Sequence, residues 1–204
     1  MPESTQALVS AFKEKAEIVA AQVTEAADLK EAFARVAQIC RGKPPCELLA
    51  RETGDENKPG TPTQRLIAAP GLSDEDFTLL EQECEAQGFL AVRKGLRRYL
   101  AGFDVGLAWA DFAVAASGTC AVPTTDEDVR LATMICESSV LLLRKSAIKP
   151  DLASIAPKLR ELLNTGWPEY TSFITGPSRT ADIERVLTIG VHGPLELHII
   201  LLEG

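Results

Sequence analysis

The residues best suited to chemistry lie in one polar segment, Gly176 to Glu184, which reads GPSRTADIE. The hydroxyls of Ser178 and Thr180 can donate to an anionic group, and Arg179 can pair with a carboxylate or a phosphate. Asp182 can orient a bound group or accept a proton. The same residue types also cap helix N-termini, so a helix that begins just after this run is the structural alternative.

Two further turns carry residues of possible chemical use. The turn Gly190 to Pro194, which reads GVHGP, contains His192, the only group there that titrates near neutral pH. Its glycines also explain a purely structural turn. The turn Ser117 to Thr119 ends an apolar run, and its small residues permit close approach of a ligand to the backbone. A plain strand-ending turn has the same composition.

These turns supply the candidate site. The catalytic candidates are Asp182 and His192. The predicted ligand-binding residues lie within or beside the three turns; they are Ser117, Gly118, Thr119, Thr175, Gly176, Ser178, Arg179, Thr180, Asp182, Glu184, His192 and Gly193. Cys120 follows one of the turns but has no basic neighbour in sequence, so we expect an inert thiol.

Standard cofactor signatures are missing. The chain has no G-x-G-x-x-G, G-x-x-x-x-G-K-[ST], G-x-S-x-G or H-E-x-x-H. Its five cysteines are odd in number, widely spaced and free of C-x-x-C, which argues against a disulfide framework, a zinc site or an iron–sulfur cluster. We therefore predict no metal and no cofactor in this chain, with reduced thiols that suit a cytoplasm.

Composition narrows the class of protein. The chain has 204 residues, of which 46% are apolar and 25% charged, as expected for one compact domain. Net charge is −8, and the only basic group, 93–98, is too short for a nucleic-acid footprint. The sequence also lacks an apolar run of membrane-spanning length and a leader-like start. We expect a cytoplasmic protein without membrane insertion or nucleic-acid binding.

The elements that position these turns follow from hydrophobic periodicity. Helices are predicted over 4–16 and 28–41, a short strand is favoured over continued helix at 17–23, and turn formers predict an exposed loop over 51–64. Downstream, short apolar strands alternate with helices, which predicts a three-layer α/β/α fold with a mostly parallel sheet. The later strands are expected at 65–69, 89–92, 105–108, 112–116, 139–143, 171–175 and 195–202, and the later helices after Ser73, near 94–100, and over 126–136 and 151–163.

The turn after the strand at 171–175 has the placement of a ligand site. In open α/β sheets, ligands bind beyond the carboxyl ends of strands. We therefore expect the segment from Gly176 to Glu184 to present its backbone N–H groups and hydroxyls to a ligand there.

Taken together, these segments resemble the LUD (lactate utilisation) domain, LutC/YkgG-like branch. The resemblance is carried by Ile174 to Glu184, by Gly190 to Pro194, and upstream by 105–106, 110–115 and 117–119. It covers residues 60–204 well and the helical portion 1–45 loosely, so residues 1–204 are interpreted as a single LUD domain. Where many relatives have Glu-Thr before Gly-Thr, this chain has Ala116-Ser117, which removes a carboxylate from that turn.

The resemblance implies both a fold and a role. The fold is the NagB/RpiA/CoA-transferase-like α/β/α sheet, which binds phosphorylated or CoA-linked ligands at strand ends. The role is oxidation of L-lactate to pyruvate alongside iron–sulfur partner proteins, with this chain as a non-redox subunit rather than a complete enzyme. Two alternatives stay open: a stand-alone enzyme or binder of a small anionic, CoA-type or sugar-phosphate ligand, and turns that only shape the fold while a surface binds protein.

Overall fold

The computed structural model describes residues 4–42, 64–99, 102–163, 170–180, 188–190 and 192–203. Its α-helices are α1 (Thr5–Ile18), α2 (Leu29–Arg41), α3 (Asp74–Ala86), α4 (Glu127–Met134) and α5 (Leu152–Leu163). Short polar side chains begin four of them: Ser4, Asp28, Ser73 and Asp126 each accept a hydrogen bond from a backbone N–H of the first turn. The helix starts are therefore encoded locally.

The strands belong to three sheets. In chain order they are β1 (Ala21–Ala26), β2 (Leu66–Ala68), β3 (Leu90–Val92), β4 (Phe103–Trp109), β5 (Phe112–Val114), β6 (Thr119–Pro123), β7 (Cys136–Arg144), β8 (Ile148–Lys149), β9 (Thr171–Ile174), β10 (Arg179–Thr180), β11 (Thr188–Ile189) and β12 (Glu196–Leu202). The largest sheet has six strands in the order β1-β12-β7-β4-β2-β3, and all of its pairings are parallel. Both of its faces are covered, which explains why its strands are continuous apolar runs.

Helices α2 and α3 cover one face of this sheet. Phe33 and Val36 of α2 and Leu80 of α3 pack in one core cluster with Leu142 and Ile200 of the central strands. All five side chains are almost completely buried. This layer matches the helical layer that the periodicity predicts.

The opposite face is covered by α1, α4 and a second sheet. That sheet has the order β8-β5-β6-β9, with β6 antiparallel to both β5 and β9. Val9 and Phe12 of α1 pack there against Leu141 and Leu197 of the central sheet. The predicted α/β fold with a parallel central sheet is confirmed, and a small sheet forms part of its second layer.

Helix α4 lies unusually close to strand β4. Gly106 faces it, and a Cβ added at this glycine would overlap the carbonyl oxygen of Ala132. The absence of a side chain at Gly106 therefore lets the helix rest on the sheet. The contact brings Thr133 and Met134 over the start of β7, where Ser139 is the register neighbour of Gly106.

Two local predictions require correction, and strand β6 was missed. Residues 17–20 are not strand: α1 continues to Ile18, and Ala20, with a positive φ of 66°, turns the chain into β1. The basic segment near 94–100 forms only a 3-10 turn over Leu96–Arg98, because the Asp128 carboxylate accepts the N–H groups of Gly95 and Leu96. Strand β6 was not predicted, since its first residues resemble a turn.

Two further observations concern the predicted loop over 51–64 and the length of the helices. The predicted loop over 51–64 lies outside the described residues except for Gln64. Within the described part of the chain, no helix has the length and apolar character needed to cross a bilayer.

Candidate functional site

A cavity of about 300 Å³ opens between the end of α4, the amino ends of β7 and β12, and the segment that follows β9. Its polar lining consists of Thr133, Ser139, Ser172, Thr175, Ser178 and His192. Its apolar lining consists of Met134, Phe173, Ile174, Pro177, Pro194 and Leu197, and Gly176 and Gly193 complete the wall. A small number of polar groups among apolar walls is the usual composition of a ligand site.

The two C-terminal turns form one wall of this cavity. The Ser178 N–H donates to the carbonyl of Pro194, and the Gly190 N–H donates to the carbonyl of Ser178, both at 2.9 Å. A Cβ added at Gly193 would lie 3.0 Å from the Cβ of Ser178, so the absence of a side chain there permits this contact. Beyond it, Arg179 begins strand β10, which pairs with β11. Two sequence motifs thus become one structural unit.

The Arg179 side chain binds the protein backbone, whereas its residue type suggested a contact with an anionic ligand. Its guanidinium donates to the carbonyl oxygen of Val19 at 2.6 Å, just after α1. Arg179 and Thr180 are not among the described lining residues of the cavity. The arginine ties the wall to the start of the chain.

The upstream turn, residues 117–119, contacts the cavity wall through Thr175. The Thr119 hydroxyl lies 2.7 Å from the hydroxyl of Ser117 and 2.8 Å from that of Thr175. Gly118 packs beside the backbone of Ala16 in α1. Of these residues only Thr175 lines the cavity, so the turn at 117–119 orients a lining residue without being part of the lining.

Ser139 is one of the lining residues that the sequence interpretation missed, and it differs from the others in its hydrogen bonding. It is 2% exposed, and its hydroxyl has no hydrogen-bond partner among the described residues. Two other lining hydroxyls have partners: that of Thr133 donates to the Val129 carbonyl, and that of Ser172 lies 3.0 Å from the Thr124 hydroxyl. The available signal was the pair Ser138-Ser139, which directly precedes the apolar run Val140 to Leu143.

Comparison with known proteins assigns the family. The sequence model of the LUD domain matches residues 9–202, which is nearly the whole chain. The chain belongs to the LUD domain family. It is 32% identical to the uncharacterized protein YkgG of Escherichia coli over 159 residues, which cover 76% of this chain and 66% of YkgG. The resemblance inferred from the motifs is confirmed.

Other relatives of this LUD domain carry a functional name. Lactate utilization protein C of Geobacillus kaustophilus is 34% identical over 101 residues, and that of Anoxybacillus flavithermus is 35% identical over 99. Each match covers 48% of this chain, and they cover 42% and 44% of those proteins. The chain thus spans less than two-thirds of the length of each of these curated relatives, YkgG included.

A solved structure shares the fold of this LUD domain. The crystal structure of a DUF162 family protein from Deinococcus radiodurans superposes with a TM-score of 0.58 at 16% identity. The superposition covers 98% of this chain and 99% of the other. At 16% identity, the superposition shows that the two proteins share a fold.

The cavity of this LUD domain lies at the amino edge of the parallel sheet. The strand that precedes Gly176 is β9, which belongs to the second sheet and pairs antiparallel with β6. The motif does follow a strand, but Ser139 and Leu197 lie near the starts of β7 and β12. The expected placement at carboxyl ends of the parallel sheet is therefore corrected. The reason is that the chain forms β8 and β9 of the second sheet after β7, and returns to the main sheet only as β12.

The described cavity wall is nearly free of formal charge. No Asp, Glu, Lys or Arg occurs among the described lining residues, and His192, which is exposed, contributes an imidazole. The candidates Asp182 and Glu184 lie outside the described residues. Cys120 is fully buried, and burial raises the pKa of its thiol to about 12, which disfavours the reactive thiolate.

His198 lies apart from the cavity, on the other face of β12. It is largely buried, and its Nε2 lies 2.9 Å from a carboxylate oxygen of Glu196. This is the packed position in the sheet that its apolar sequence neighbours indicate.

Proposed function

We propose that this LUD domain is a component of lactate utilisation, and that it supports oxidation of L-lactate to pyruvate together with iron–sulfur partner proteins. The observation that carries the proposal is the convergence of the two family motifs on one cavity through the Ser178 and Pro194 backbones. The family match over residues 9–202 and the relatives named lactate utilization protein C support the same role.

The residues of the chain suit a binding role. Oxidation of lactate to pyruvate releases two electrons and two protons, so an acceptor is required. Among the described residues, no group of three or more His, Cys, Asp and Glu is arranged to hold a metal ion. The described cysteines Cys40, Cys84, Cys120 and Cys136 are buried in the core, outside the cavity lining. We therefore assign the iron–sulfur clusters to partner proteins and the cavity to this chain.

Exposed apolar side chains at the cavity support an assembly. Met134 and Phe173 line it and are 58% and 45% exposed. Large apolar side chains beside a concave site are typical of surfaces that another protein covers. A partner that covers them would lie next to the ligand, as electron transfer requires.

Affinity capture tests the proposal. The tagged protein is isolated from its native cells grown on lactate, co-purifying proteins are identified, and lactate-dependent dye reduction is measured with and without them. We expect iron–sulfur proteins in the eluate and activity only in the assembly. Met134→Glu should reduce their recovery, whereas Leu79→Glu, a matched change of an exposed residue on α3, should not.

The opposite result has a definite meaning. A protein that is recovered alone and is silent in the assay contradicts the subunit role. The cavity then favours the second candidate, a stand-alone binder or enzyme for a small anionic, CoA-type or sugar-phosphate ligand. In that case such a ligand should raise the melting temperature of the isolated chain, because it binds only the folded state.

A further inference from the structure

We infer that the cavity binds a short monocarboxylate rather than a phosphorylated ligand, and that the Ser139 hydroxyl hydrogen-bonds its polar head. The inference deepens the proposed function, and the choice of lactate and pyruvate as probes rests on it. It assigns a chemical class to the cavity and a recognition role to a residue outside the family motifs.

The first step is the state of the Ser139 hydroxyl. Buried polar groups in folded proteins almost always have a hydrogen-bond partner, because an unpaired one loses its hydration without compensation. Ser139 is 2% exposed, and its Oγ has no partner among the described residues. Its register neighbours on the adjacent strands are Gly106 and Leu197, which offer no polar side chain. A bound ligand would supply the missing partner.

The second step is the direction of that hydroxyl. Ser139 lines the cavity, as do Ser178 and His192 from the C-terminal turns. Side chains alternate between the faces of a strand. Ser138, the preceding residue, accordingly points the other way and donates to Glu196 at 3.4 Å. Ser139 therefore lies on the face of β7 that borders the same space as the two C-terminal motifs.

The third step is charge. The described lining contains no Lys or Arg, which are the usual partners of phosphate. Helix α4 ends at the cavity with Thr133 and Met134, so it presents its negative end, which opposes a doubly charged phosphate more strongly than a single carboxylate, and phosphate sites use helix N-termini. The described lining therefore offers hydroxyls and one imidazole, which suit a single carboxylate better than a doubly charged group. A dianionic phosphate or the pyrophosphate of CoA would be left largely uncompensated.

The fourth step is size and wall chemistry. A cavity of about 300 Å³ is at the lower limit of ligand sites and is small for CoA. Ile174 and Leu197 form apolar wall, and the hydroxyls of Thr175 and Ser178 can donate or accept. These features fit a short carbon chain that carries one carboxylate and a neighbouring hydroxyl or keto oxygen.

Binding to the isolated full chain tests the inference. Sodium L-lactate, sodium pyruvate and sn-glycerol 3-phosphate are titrated by calorimetry, with saturation-transfer NMR for weak binding. We expect the wild type to bind a carboxylate more tightly than the phosphate ester. Ser139→Ala should weaken carboxylate binding about tenfold, the loss of one hydrogen bond to a charged group.

Ser138→Ala is the matched control, since it removes a serine hydroxyl one residue away on the other face. It should leave carboxylate affinity unchanged. Ser139→Ala breaks no intramolecular hydrogen bond, so its melting temperature should not fall. Circular dichroism confirms that both variants fold.

Three results overturn the inference: no carboxylate binding by the wild type at millimolar concentration, equal carboxylate binding by the two serine variants, or tighter binding of glycerol 3-phosphate. Capture of iron–sulfur partners by a chain that binds no carboxylate would reject this inference and leave the proposed function standing. Carboxylate binding that depends on Ser139, in a chain that captures no partner, would support this inference and reject the proposed function.

Discussion

The two edges of the parallel sheet use their polar residues in opposite ways. At the carboxyl edge, Lys145 after β7 forms ion pairs with Glu25 of β1, at 2.7 Å, and with Glu203 after β12. At the amino edge, the described cavity wall carries hydroxyls without formal charge, and Ser139 has no described partner. Charges that neutralise one another join strands together, whereas an unsatisfied buried hydroxyl is available to a ligand.

The carboxyl edge also has a concave surface, of about 280 Å³, lined in part by Trp109, Asp111 and Arg144. The Arg144 guanidinium lies 5.3 Å from the centre of the Trp109 ring, so the aromatic face is already covered by a cation. Ligands of open α/β sheets usually bind at this edge. Here the two C-terminal family motifs lie at the other edge, so the fold type alone does not predict where they lie.

Substitution of Gly106 should have the largest effect on the free energy of unfolding. It should disrupt the amino edge of the sheet and leave the carboxyl edge intact. Gly106→Ala places a methyl group against the Ala132 carbonyl, so α4 must move and take Thr133 and Met134 with it. We expect a loss of about 3 kcal/mol in the free energy of unfolding, as for severe overpacking. Urea denaturation measures it. Gly71→Ala is the control, because its added Cβ meets only a Val129 methyl at 4.0 Å; equal losses would contradict the close contact at Gly106.

Removal of a satisfied hydroxyl should have an intermediate effect. Thr119→Val keeps the side-chain shape but removes the hydrogen bonds to Ser117 and Thr175. We expect a loss of about 1 kcal/mol in the free energy of unfolding, since the partners can be hydrated by solvent. Ser139→Ala in the same denaturation assay should lose nothing. The distinction between paired and unpaired hydroxyls fails if the two variants lose equal stability.

The smallest expected effect is a pH dependence at the carboxyl edge. Hydrogen bonds from Lys13 and then Lys145 lower the pKa of Glu25 from its ordinary 4.5 to about 2. A carboxylate with a lowered pKa contributes stability above its ordinary pKa, and this contribution is lost as pH falls toward 2. Lys145→Gln should raise the pKa of Glu25, so that acid destabilisation begins at higher pH. Because Glu25 is 40% exposed on its side chain, the change in stability should be small.

NMR titration of the Glu25 carboxyl measures this shift directly. Lys158→Gln is the control, since Lys158 pairs on the surface with Glu161, at 3.8 Å, and not with Glu25. An unchanged Glu25 pKa in Lys145→Gln would show that Lys13 alone lowers this pKa and that Lys145 does not contribute to it.

Much of the fold could be predicted from the sequence because its signals are local. Ser73 and Asp28 cap their helices through backbone N–H groups a few residues away, and the buried strands are apolar runs in the chain itself. Predictions failed where a distant residue intervened. The segment near 94–100 is held as a short turn by Asp128, which comes from another element.

The residues of the candidate site also divide into those with a local sequence signal and those whose place depends on distant contacts. Turn composition identified Gly176, Ser178, His192 and Gly193, all of which line the cavity. Arg179 and Thr180 were included for their chemistry, yet the cavity lining does not contain them, since the direction of a side chain depends on contacts such as the one to Val19. Ser139 gave no local signal that separated it from Ser138.

The sequence by itself therefore determined the α/β class, the family and the two C-terminal turns, because periodicity, caps and turn residues act over a few positions. Only the tertiary structure decided that these turns meet, that they lie at the amino edge of the sheet, and that Ser139 is unpaired among the described residues. Whether a buried hydroxyl is satisfied depends on its neighbours on adjacent strands. For Ser139 these are Gly106 and Leu197, which are far from it in sequence and become adjacent only when the sheet forms.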